Sequence, residues 1–280
     1  MPRLPKGNQP TDGGHLIITQ DEFDVFLVSE PMAAKKFVKQ LMGAKEYIRN
    51  ELRCCLWLVN ASPDEIRQSQ FIYRRVAGCQ EFRKNQGKAS DTIALAETPS
   101  LFRETKNPQH YVVVPEISSE NRHFIPIGFL DGSVIPTNKL QIIENAGLFE
   151  MGILISSIHM AWTRSVCGQL KSDYQYSAGI VYNNFLWPEP TEKQTQSIEA
   201  CAQAVLDARA VHPNASLADL YDPLTMPANL LKEHQALDKA VDAAYGYKGA
   251  NTDAARVAFL FALYQKITSL LPVEKTKKSK

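Results

Sequence analysis

The feature that most constrains this chain is a change of pattern at Trp187-Pro-Glu-Pro190. After it, apolar residues recur at helical spacing almost everywhere. Thr191-Glu-Lys-Gln194 is a capping box that opens a helix running to about Val211. Pro227 opens a second helix, with Leu230, His234, Leu237, Val241 and Ala244 on one side. A third starts near Asp253, with Leu260, Leu263, Ile267 and Leu270 on its inner side. Before the change, short apolar runs alternate with helix-like stretches. The expected fold class is α+β: a mixed α/β domain over 12–188, then a small all-α domain over 189–271. Residues 1–11 read as a linker, because Lys6–Gly14 is rich in turn formers and has no apolar period. Such an opening reads as the middle of a longer protein, and 272–280 as a frayed, disordered tail.

Within the mixed region the pattern predicts a helix from about Asp21 to Met42, interrupted at Pro31. Arg53–Val59 is a short apolar run suited to a buried strand. Ser62-Pro-Asp-Glu65 places a capping serine, a first-turn proline and a glutamate three residues on, so a helix is expected toward Arg83. Strands are expected at Tyr111–Val114, Arg122–Ile127, Leu140–Ile143 and Ile180–Tyr182. Leu148–Val166 reads as one buried helix closed by Gly168.

Composition excludes several classes. The hydrophobic fraction of 44% over 280 residues suits a packed core. No apolar run is long enough to span a bilayer, and the N-terminus lacks a signal-peptide core; a soluble, cytoplasmic protein is the default. Five cysteines, none spaced C-x-x-C, argue against a disulfide framework or a zinc site. The net charge is +1, but Lys35–Lys88 holds 12 Lys/Arg against 5 Asp/Glu, a local excess of +7. Such a segment suits a phosphate backbone, with Arg74, Arg75, Arg83 and Lys84 as candidate contacts. The alternative is an ordinary solvated helix face.

No catalytic or metal site is proposed by the motifs. G-x-G-x-x-G, G-x-x-x-x-G-K-[ST] and H-E-x-x-H are all absent. Ser157 and His159 lie close in sequence, but in an apolar helical run without a nucleophile elbow, which favours a buried, hydrogen-bonded histidine over a hydrolase. Gly168–Tyr176 is more informative. If it is extended, Lys171, Asp173 and Gln175 share one face and Ser172, Tyr174 and Tyr176 the other. Lysine donates to guanine O6 and N7, aspartate accepts from cytosine N4, and glutamine pairs with adenine. A loop with a surface ion pair is the competing reading.

A set of motifs in order then identifies a resemblance. Gly7–Gly14, Leu41-Met-Gly-Ala-Lys-Glu-Tyr47, Cys55–Val59, Tyr111–Pro115 and Phe124–Phe129 are followed by Met160–Arg164, Leu170–Ser177 and Tyr182–Pro188. Ala218–Asp222 and His234–Gly246 complete the series. Together they resemble the C-terminal region of MmeI-like proteins, the Type IIL restriction–modification enzymes and related adenine methyltransferases. The resemblance covers nearly the whole chain and implies a target-recognition domain followed by a helical C-terminal domain. It implies base reading by Lys171 and Asp173, in the order that resembles the guanine-selecting form. A second set falls on Asn138, Lys139 and Gln175; Gln175 stands where some members carry arginine. For Asn138 and Lys139 a plain turn remains the alternative.

The family's catalytic Asn-Pro-Pro-Tyr, its S-adenosylmethionine motif and its nuclease motif are absent from these residues. No cofactor is expected in this chain; S-adenosylmethionine is implied for a methyltransferase domain that precedes it, in the same chain or as a separate subunit. The expected function is recognition of double-stranded DNA that positions a target adenine. The alternative is a protein–protein docking module with little DNA contact.

Overall fold

The computed structural model describes residues 3–85 and 87–269. Leu270 and the expected tail at 272–280 lie outside them. The fold class is α+β, and the chain divides into two compact units, neither continuous in sequence. The first comprises Met1–Ile117, Pro126–Ala146 and Asn214–Leu220; the second Ser118–Ile125, Gly147–Pro213 and Tyr221–Lys280.

The first unit is built on two small sheets. One has the order Ile17–Ile18, Cys54–Leu56, Val38–Met42, Val134–Pro136. Its last pair is parallel, with Leu41 opposite Ile135. The other is antiparallel, with His110–Pro115 between Gly128–Asp131 and Leu140–Glu144. Leu16, Phe26, Leu41, Cys55, Leu56, Ile72 and Ile135 are in its larger core. The first residues are not a linker: Gly7 N–H donates to the Leu140 carbonyl and Asn8 N–H to that of Pro136. A Cβ on Gly7 would collide with the backbone oxygens of Thr137 and Pro136, so only glycine lets the two backbones approach this closely.

Several local expectations change here. The helix begun at Gln20 ends at Ser29, a short turn follows at Met32–Lys35, and Val38–Met42 is a strand. Phe37 and Leu41 fit helical spacing, but pairing with Cys54–Leu56 and Val134–Pro136 wins. The Ser62 capping box forms, yet its helix stops at Gln68 and restarts at Gln70. Ser69 makes the break: its Oγ accepts from Ile72 N–H and donates to Glu30 at 2.6 Å.

The second unit is mostly helical and carries the hairpin Gly168–Leu170 and Asp173–Gln175, whose second strand is also paired with Ile117–Ser118 in a three-stranded sheet. Leu148–Leu154 and Ser157–Val166 replace the single helix expected, because Ser156 caps a new start. Gly168 does not close the helix; it begins a strand. Arg122–Ile127 is irregular rather than a strand, and Ile180–Tyr182 lies in a wide helical turn, Ala178–Tyr182, capped by Ser177. Glu192–Ala210, Ala228–Tyr245 and Asp253–Ser269 are the long helices. Gly152 packs against Ile198, Ala202 and Leu237, where a Cβ would come within 2.9 Å of Ile198. Leu260 is buried, but Ile267, expected inside, is half exposed.

Candidate nucleic-acid interface

The polar row predicted at Lys171–Gln175 stands on an antiparallel hairpin of the second unit. Gly168–Leu170 pairs with Asp173–Gln175, and Lys171-Ser172 is the two-residue loop. Alternation holds along the second strand: Tyr174 and Tyr176 are buried, Gln175 is exposed and Asp173 is partly exposed. Lys171 is in the loop instead of the strand, with a φ of +58°. Two-residue hairpin loops favour such a left-handed first residue, ordinarily glycine, because it matches the strand twist. An L side chain there costs about 1 kcal/mol.

The inward tyrosines anchor the hairpin. Tyr174 hydroxyl donates to the Glu120 carbonyl at 3.1 Å. Tyr176, 1% exposed, lies 3.1 Å from His159 Nε2. His159 Nδ1 is 2.8 Å from the Leu154 carbonyl, so that nitrogen carries the proton and Nε2 accepts from Tyr176. Burial lowers the His159 pKa to about 4, against the opposing effect of the Leu154 hydrogen bond. The imidazole is therefore neutral. It makes no bond to Ser157, whose hydroxyl donates to Asp238. The buried face of Tyr174 and Tyr176 and the buried, hydrogen-bonded His159 agree with the sequence, whereas the contacts to Glu120 and between Tyr176 and His159 have no signal in it.

On the outward face the situation reverses. Among the described residues, no hydrogen bond or ion pair engages the side chains of Lys171, Asp173 or Gln175, so the competing surface ion pair is not made. Three polar side chains open to solvent thus stand on a backbone fixed from beneath. The chemistry offered is a donor, an acceptor and an amide at adjacent positions.

Asn138 and Lys139 belong to the first unit and form a turn, with Leu140 N–H donating to the Thr137 carbonyl. The Asn138 side chain is partly exposed. Lys139 is already engaged: its Nζ is 3.1 Å from Glu116, which Lys6 also contacts at 2.8 Å. Burial raises the Glu116 pKa, but hydrogen bonds from Lys6 and Lys139 outweigh it and hold the carboxyl below its usual value.

The basic helix residues divide sharply. Arg83 is fully buried, and its guanidinium donates to the carbonyls of Pro10, Thr11, Leu95, Thr98 and Leu101 at 2.7–3.0 Å. All five donors are used, so Arg83 is a fold residue and not a phosphate contact. Arg75 bonds Glu22 through two nitrogens and also the Ile17 carbonyl. Arg74 and Lys84 are exposed, Arg74 beside Arg67, Gln70 and Tyr73 around an open hollow. Among the described residues, no cluster of three or more His, Cys, Asp or Glu is placed to hold a metal, and no helix is long and apolar enough to cross a membrane.

Comparison with known proteins gives first a class: a target recognition domain joined to a C-terminal domain. The family is that of MmeI, and the chain belongs to it. Residues 1–189 match the model of the MmeI target recognition domain and residues 190–272 that of the MmeI C-terminal domain. The DNA methyltransferase A of Bacillus subtilis (strain 168) is 38% identical over 270 residues. A solved structure of the Type IIL restriction-modification enzyme MmeI in complex with DNA superposes with a TM-score of 0.92 at 48% identity. Each match covers 96% of this chain but only 30% and 36% of the relatives, so the chain spans about a third of their length.

Proposed function

We propose that this chain reads the sequence of double-stranded DNA for an adenine-N6 methyltransferase of a restriction–modification system. Lys171 and Asp173 address one G·C pair from the major groove, and Gln175 and Asn138 address bases nearby. Lys139 contributes by exchanging Glu116 for a base or phosphate. Arg74 and Lys84 supply backbone contacts. The recognition role belongs to the residues up to 189, including the first segment that pairs with Leu140 and Pro136, and 190–272 is its helical companion. The methyl transfer itself uses S-adenosylmethionine in a preceding domain, to which this chain presents the target adenine for flipping. The setting is cytoplasmic.

The observation that carries this reading is the hairpin. Among the described residues its outward polar groups have no partner, while its inward tyrosines fix the backbone that displays them. Unpaired donors and acceptors on a rigid element are what a base edge can use. The family match and the DNA-bound state of the MmeI structure add support.

The test is a charge swap, Lys171→Glu with Asp173→Arg, followed by selection from a random duplex library. The preferred base should change at one position, with nonspecific affinity nearly unchanged. An identical selected sequence for variant and parent would remove the assignment.

One observation favours a second reading, a docking module with little DNA contact: Val25, Val28 and Met32 are 62%, 90% and 79% exposed. A salt titration separates the two. A phosphate-tracking protein loses DNA affinity steeply with salt, and a docking module does not.

A further inference from the structure

We propose that Leu170 is a further specificity residue, which senses the C5 position of the cytosine addressed by Asp173. The inference rests on the reading just given and extends it to a residue with no polar chemistry of its own.

The geometry is that of the hairpin's closing pair. Leu170 and Asp173 are direct cross-strand partners, the last pair before the loop. Side chains so paired leave the same face of the ribbon with Cβ atoms roughly 5 Å apart. Leu170 is 55% exposed, so its methyl groups stand beside the carboxylate on the outward face. Further back, Gly168 is opposite Gln175 and adds no side chain to that face. Leu170 is thus an exposed apolar side chain paired with the aspartate across the hairpin.

Base chemistry supplies the other half. An aspartate reads cytosine by accepting from its N4 amino group. On the same major-groove edge, the ring carbon next to the one bearing N4 is C5. With the carboxylate bonded to N4, the proposal seats its cross-strand neighbour Leu170 on the C5 side of the base and Lys171 toward the paired guanine. A leucine there makes an apolar contact that a methyl group on C5 enlarges, as apolar side chains do with the thymine methyl.

The experiment uses duplexes selected by the chain itself. The G·C pair whose preference moves in the Lys171→Glu/Asp173→Arg swap is synthesised with cytosine or with 5-methylcytosine. Affinities are measured for the parent, Leu170→Ala and Leu170→Met. The methylated duplex should bind the parent about threefold more tightly. Leu170→Met should keep that ratio, and Leu170→Ala should bring it to one. Because Leu170 is exposed, all three chains should unfold at the same denaturant concentration. An equal ratio in parent and Leu170→Ala, or no methyl effect in the parent, overturns the Leu170 proposal and leaves the swap result standing. A swap that moves no base preference removes the reading itself, and the proposal falls with it.

Discussion

Arg83 and Lys171 are both cations that the sequence offers as nucleic-acid contacts, one by local charge excess and the other by strand alternation, and the structure treats them in opposite ways. Arg83 faces inward from the helix Gln70–Lys84 and binds five backbone carbonyls. Lys171 sits at the tip of a hairpin with a strained φ and, among the described residues, with no side-chain partner. The one has its whole hydrogen-bonding capacity consumed by the fold; the other keeps all of it for an outside ligand. The difference shows that local charge excess does not report availability. Of the +7 excess counted over Lys35–Lys88, Arg75 and Arg83 are absorbed by internal bonds.

The comparison is tested most severely at Arg83. Arg83→Met keeps the unbranched stem of the side chain and removes the guanidinium, leaving five carbonyls to find other donors. Unsatisfied buried acceptors are costly, so the loss should be roughly 4 kcal/mol or more. Urea unfolding followed by circular dichroism measures it. A loss below about 1 kcal/mol, with weakened DNA binding, would move Arg83 back to the interface and erase the contrast.

Arg83 also marks the limit of what the sequence discloses. Its acceptors come from residues 10–11 and 95–101, which no periodicity connects to position 83. The strand Val38–Met42 is hidden for the same reason, because its partners are remote and its apolar spacing fits a helix. Ser69 and Ser156 break expected helices from within, since a capping serine inside a helix-like stretch resembles any other serine. By contrast, the boxes at Ser62 and Thr191 are local chemistry and form where the residues place them. The hairpin was half legible. Two-residue alternation gave the faces of Asp173–Tyr176, but the loop at Lys171 lacks the Asn-Gly signature that would have announced it.

His159 serves the hairpin from below, through its contact with Tyr176. Its pKa is about 4 in the folded chain, against an ordinary value of 6.5. The unfolded chain therefore takes up a proton before the folded one. The stability this histidine contributes is complete above pH 6.5 and is lost as the pH falls toward 4. The size is roughly 3 kcal/mol over that window. His234 is also lowered by burial and adds to the same trend, so the discriminating quantity is a difference. Urea midpoints measured from pH 7 to pH 4 should fall less steeply in His159→Gln than in the parent. Equal slopes would show that another group governs the acid limb.

The smallest effect on the fold is expected at Lys171 itself, and it sharpens the comparison from the other side. Glycine is at ease at a φ of +58°, so Lys171→Gly relieves about 1 kcal/mol of backbone strain. It also gives the unfolded chain more freedom, which offsets a similar amount. Stability should thus stay within about 0.5 kcal/mol of the parent. Recognition should not: without the ammonium group, discrimination at one base pair should weaken by about 1–3 kcal/mol. Paired measurements of the urea midpoint and of the sequence logo from library selection read both quantities. If Lys171→Gly unfolds early, the lysine is part of the hairpin's architecture. If the logo is unchanged, the residue is solvated and idle. Only an intact fold with a relaxed base preference matches a side chain held in a strained loop by what it contacts outside the protein.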